Sequence, residues 1–112
     1  MSVNLEEWQR RRYDPVSVWN IHNAEEEVRE AELVTANFII GSCGIEKILG
    51  KILESRAKYA SVAIREDMEK VTVEDVVWHF QKNGLDLIYM KDFSDGGGNA
   101  VRMDFENLRT AC

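Results

Sequence analysis

The sequence predicts an α+β fold: three main helices packed against a C-terminal two-stranded β-hairpin, with an N-terminal arm. Three observations lead there. Thr72-Val73-Glu74-Asp75 begins a helical pattern that Asn83-Gly84 stops. Two alternating runs follow on either side of Ser94-Asp95-Gly96-Gly97-Gly98-Asn99. Two long stretches before them carry apolar residues at helical spacing.

The arm, residues 1–22, comes first. Residues 3–12 suit a short helix with Leu5 and Trp8 on one side and Arg10, Arg11 and Arg12 at its end. Tyr13-Asp14-Pro15 breaks it, because proline cannot continue a helix and biases its predecessor to an extended shape. Residues 23–112 form the remaining single domain. Asn23 is placed to cap a first long helix reaching about Ile40, with Glu25–Glu27 in its first turn, where the helix dipole favours acids. Ala24, Val28, Ala31, Thr35 and Phe38 would face inward. Gly41–Gly44 interrupts the pattern. A second helix is predicted from Ile45 to Met68, burying Ile45, Ile48, Leu49, Ile52, Leu53, Ala60, Ala63 and Ile64. A helix of about 24 residues would reach roughly 36 Å, longer than a small domain needs. That favours a homodimer or an exposed docking ridge.

The third helix buries Val73, Val76, Val77 and Phe80 behind a Thr72 cap, and Gly84 ends it. In the first strand Leu85, Leu87, Tyr89, Lys91 and Phe93 share one face, leaving Ile88 and Met90 among charges on the other. In the second, Val101, Met103 and Phe105 alternate with Ala100, Arg102, Asp104 and Glu106.

At 112 residues with 45% hydrophobic content, one domain can bury a core without disulfides or metal. Two cysteines, no apolar run of membrane-spanning length and no signal-like N-terminus predict a cytoplasmic, reduced protein without a membrane partner. The net charge of −6 concentrates in residues 24–44, where five acids face Arg29 alone. No segment forms the basic stripe nucleic-acid binding normally needs.

Four constellations resemble reactive sites and fail on pattern. Gly44–Ile52 is one residue too long for a phosphate-binding loop and puts Ile52 where a magnesium-ligating hydroxyl belongs. Cys43 precedes a helix, which lowers a thiol's pKa, but the only histidines are His22 and His79. Asp75 and His79 share a helix face with no third ligand. Asp92, Ser94, Asp95, Asn99 and Asp104 surround the glycine turn, yet a calcium loop would not place Gly96 and Met103 where they stand. The sequence therefore predicts no enzyme, no cofactor and no metal.

Trp8, Arg10, Arg11, Arg12, Tyr13 and Trp19 are the leading partner-binding residues, since aromatic and arginine side chains dominate interface energetics. Glu26 and Glu30 offer an acidic face, and Ile88 and Met90 an apolar one. Together these predict a small non-enzymatic module that binds another protein and regulates or inhibits it. Its size and acidity suit an inhibitor of host machinery encoded by a virus or mobile element.

Ser61–Leu108 resembles the winged-helix family in order: helix, turn, candidate recognition helix Thr72–Asn83, Gly84-Leu85 and a hairpin wing. The resemblance implies a DNA-binding transcriptional regulator, which is the alternative function. Glu74 and Asp75 at the start of that helix, with Asp92 and Asp95 by the wing, oppose phosphate and rank nucleic acid below protein as the partner. Convergence of Lys82, Lys91, Arg102 and the arginine triplet on one patch would reverse that ranking. Ile45–Asn83 also resembles part of a histone fold through Lys70–Trp78, which implies a paired partner chain.

Overall fold

A computed structural model describes residues 5–94 and 99–108 of the chain. Among these residues, five strands form one mixed sheet: β1 Val18–Ile21, β2 Leu33–Asn37, β3 Tyr59–Ile64, β4 Leu85–Ser94 and β5 Asn99–Asn107, in the spatial order β1-β2-β3-β5-β4. β1, β2 and β3 run parallel, and β5 is antiparallel to both β3 and β4. The helices are α1 Leu5–Tyr13, α2 Ile40–Cys43, α3 Ile45–Ser55, α4 Glu66–Glu69 and α5 Val73–Lys82.

This corrects the predicted architecture of three helices on a two-stranded hairpin. The first predicted helix, Asn23 to about Ile40, is an irregular connection followed by β2. The second, Ile45 to Met68, divides into α3, β3 and α4. Leu33–Asn37 and Tyr59–Ile64 are short apolar runs buried on both faces, and periodicity cannot distinguish such strands from buried helix. The stop after α3 is Arg56, which takes a left-handed conformation at φ 57°. Lys70 does the same after α4 at φ 55°. Neither is the glycine that usually announces such a cap. Asn23 does accept a hydrogen bond from the Glu25 amide at 2.9 Å, but as a local turn that no helix extends.

The described residues of the N-terminal arm, 5–22, belong to the sheet domain: α1 packs on one face and β1 forms an edge. Helix α1 ends where expected, with Asp14 at φ 46° before Pro15. The α5 reading holds in detail, for Thr72 Oγ1 accepts from the Asp75 amide at 3.1 Å and Gly84 sits at φ 90°. The β4–β5 pair is also present, but β5 is a central strand rather than a free wing. With β3 in place of a helix, neither the winged-helix nor the histone-fold order is realised.

The sheet has two unlike faces. Ala60, Val62 and Ile64 of β3 join Val34, Ala36, Met103 and Phe105 in the apolar core, covered by Ile48, Leu49 and Ile52 of α3 and Val76 and Phe80 of α5. The alternate residues Thr35, Asn37, Ser61, Arg102 and Asp104 point to the other face, under α1, and are polar. In β4 a bulge between Leu87 and Tyr89 switches the pattern: Leu87 opposes Phe105, whereas Tyr89 opposes Asp104. Tyr89, Lys91 and Phe93 therefore lie on the α1 face, and only Leu85 and Leu87 of the five residues predicted to share one face remain towards the core. Among the described residues, no helix is long and apolar enough to cross a membrane.

Candidate functional site

Beneath α1 lies a buried polar cluster centred on Asp104. Arg102 and Asp104 are both fully buried, two residues apart on β5. The Arg102 guanidinium donates from Nε to Oδ1 at 2.9 Å and from Nη2 to Oδ2 at 2.7 Å. Ser61 of β3 donates to Oδ1 at 2.5 Å, and the Tyr13 hydroxyl to Oδ2 at 2.6 Å. Arg12 Nε lies 3.2 Å from Oδ2. Gln9 completes the layer: its amide donates to Ser61 Oγ at 2.7 Å and to Asn37 Oδ1 at 2.9 Å, and Asn37 returns a bond at 3.0 Å.

The rings around this cluster carry cations on their faces. Arg102 sits 4.3 Å from the Trp8 centroid and Lys91 5.1 Å from it, while Arg12 lies 3.8 Å from that of Tyr89. Tyr13 stacks on Tyr59 with centroids 4.3 Å apart. Burial, then the bond to the Asp104 carboxylate, pushes the Tyr13 phenol well above its ordinary pKa.

This cluster suits bracing better than catalysis. Every oxygen of Asp104 is engaged and the Ser61 hydroxyl is spent on Asp104, so neither a free base nor an exposed nucleophile remains. Cys43 is half-buried against the core. The His79 ring bonds the carbonyl of Asp75, with Nδ1 2.8 Å from that oxygen, rather than its carboxylate. Gly44–Ile52 lies mostly in α3, so its amides from Ile48 onward are committed to the helix and the segment forms no phosphate-cradling loop. Among the described residues no three His, Cys, Asp or Glu side chains gather as a metal site. Asp95 of the glycine turn and Cys112 lie outside the described residues.

The candidate binding residues disperse. Trp8, Arg12 and Tyr13 turn onto their own sheet as part of the brace. Arg10 and Arg11 are exposed, with Arg11 paired to Glu7 at 3.0 Å. Trp19 is 2% exposed within the core. Glu26 accepts from the His22 amide at 2.5 Å and the Asn23 amide at 3.0 Å, and these bonds, the first above all, hold its carboxyl below the usual carboxylate range. Glu30 is exposed on the connection between β1 and β2. Ile88 and Met90 are exposed on β4, at 37% and 53%. Of the cations whose convergence would favour nucleic acid, Arg12, Lys91 and Arg102 do gather, whereas Lys82 lies over Trp78 on α5.

Periodicity does not single out Gln9, Asn37 or Ser61, and it sets Arg102 and Asp104 on the charged face opposite the apolar one without showing what covers them. Nothing in a single alternating strand signals that a helix will cover its polar side.

No protein-family model matches the chain, and no curated protein matches its sequence.

Proposed function

We propose that this chain is a small non-enzymatic protein-binding module that docks through the open edge of β4 and thereby regulates or inhibits its partner. The observation that carries the reading is β4 itself. It is a ten-residue strand at the sheet margin, paired among the described residues with β5 alone, and Ile88 and Met90 are exposed along it. A bare edge offers unpaired backbone donors and acceptors to an incoming strand, and apolar side chains beside it add specificity. The closed hydrogen bonding around Asp104 supports a binding role over a chemical one.

The test compares wild type with Ile88→Lys/Met90→Lys in cross-linking capture from source-cell extract, with Arg10→Ala/Arg11→Ala as a second variant. The expected result is a partner cross-linked through β4 that the edge variant loses and the arginine variant keeps. Equal capture by all three proteins refutes the edge as the docking surface.

Binding to a single-stranded nucleic acid is the second reading, favoured by the gathering of Arg12, Lys91 and Arg102 around Trp8 and Tyr89. It ranks lower because Asp104 already neutralises part of that charge and the rings already carry the chain's own cations. Retardation of single strands at about 50 mM salt that collapses as salt rises would favour it.

A further inference from the structure

Resting on the reading of β4 as a docking edge, we infer that its occupant is a second copy of this chain, added antiparallel about a two-fold axis at Tyr89. Asp86 of β4 stands opposite Glu106 of β5, and Lys91 of β4 stands opposite Arg102. Like charges directly opposite one another destabilise a strand pair. Neither Asp86 nor Glu106 has an ion-pair partner among the described residues. Asp86 therefore meets only the wrong sign across the ladder, and Lys91 lies over Trp8 beside an Arg102 already paired to Asp104, with no carboxylate of its own among the described residues.

The bulge makes the edge self-complementary. Asp86 and Lys91 are five apart, so an unbroken strand would send them to opposite faces. The shift between Leu87 and Tyr89 brings both to the α1 face, with Tyr89 midway between them along the ladder. A second β4 laid antiparallel about Tyr89 sets each Asp86 opposite Lys91 of the other copy. On the other face Leu87 comes opposite Met90, also twice. A two-fold axis perpendicular to the sheet keeps each residue on its own face, so both pairings hold in one register. The pairing covers the exposed Met90 side chain and supplies backbone partners to the open edge. The net charge of −6 on each copy opposes association. That long-range term is largely screened at ordinary ionic strength, unlike charges in direct contact.

The experiment is sedimentation equilibrium on the full-length chain, with Asp86→Lys, Lys91→Asp and the double reversal. Wild type is expected to form a dimer at about 100 µM or below. Each single reversal should weaken it at least about tenfold, because two symmetry-related pairs change from attraction to repulsion. The double reversal should restore the dissociation constant to within about threefold of wild type. In the monomer each reversal puts opposite charges across β4 and β5, so circular dichroism should show an intact fold. A monomeric wild type, a dimer indifferent to both reversals, or a double variant that stays weak would each overturn the inference. If wild type is monomeric while edge-dependent capture of another protein persists, only self-pairing fails; loss of both removes the docking edge as well.

Discussion

Replacing Asp104 by alanine removes the acceptor on which Ser61, Tyr13, Arg12 and Arg102 converge. The largest consequence falls on Arg102, whose guanidinium is fully buried and cannot turn to water without displacing Trp8 and α1. Nη1 of Arg102 is already buried without a hydrogen-bond partner, so the variant would strand the remaining nitrogens beside it. Removing one member of a buried ion pair typically costs about 3–5 kcal/mol, chiefly for the charge left behind. Folded domains of this size hold only about 5–15 kcal/mol in total. Asp104→Ala should therefore lose roughly a fifth or more of the stability, read from urea unfolding by tryptophan fluorescence. Replacing both members, as Arg102→Met/Asp104→Leu, should cost much less than Asp104→Ala alone, because no buried charge is then left unpaired. A loss below about 1 kcal/mol for Asp104→Ala, or a double variant that costs the sum of its singles, would refute the brace.

Two further outcomes follow from the geometry. The Tyr13 phenol has a raised folded pKa, so it contributes stability fully present below the ordinary phenol pKa of about 10 and lost as pH rises through the folded value. Tyr13→Phe should thus show a shallower alkaline loss of stability than wild type in urea midpoints measured between about pH 9 and about pH 11; parallel curves would contradict this. A Cβ on Gly41 would stand 2.7 Å from the Glu69 carbonyl oxygen and 2.8 Å from its Cα, whereas one on Gly50 meets nothing within 4 Å. Gly41→Ala should lower stability by about 1–3 kcal/mol, while Gly50→Ala, inside α3, should raise it by about 0.5–1 kcal/mol. Thermal melts that shift both variants in one direction would contradict the packing around α4.

Signals confined to neighbouring residues were legible. The Thr72 cap, the Gly84 stop and the break at Asp14-Pro15 each act over a few residues, and each lies where its chemistry placed it. What escaped depended on distant partners. Leu33–Asn37 becomes a strand because β1 and β3 flank it, and the segment itself contains nothing to exclude a helix. Arg56 and Lys70 stop helices in a conformation more usual for glycine. The bulge at Leu87/Tyr89 reverses the faces of Tyr89, Lys91 and Phe93 without a glycine or proline to mark it. The polar brace was invisible for the same reason: Gln9 meets Ser61 across 52 positions of chain, and Tyr13 meets Asp104 across 91. Ile88 and Met90 stood out because they are apolar among charges, and both are exposed.

The position of β5 imposes an order of events on synthesis. Of the described strands, the one that joins β3 to β4 is the last to emerge from the ribosome. Before residues 99–107 appear, β3 can acquire only its β2 neighbour, and β4 has no strand to lie against. Tyr59 must then wait for Glu106, far along the chain, before that side of the sheet closes. Such distant pairings slow folding and leave strand margins bare in the interval. A nascent chain stalled short of β5 would thus be a substrate for chaperones rather than a smaller version of the finished domain.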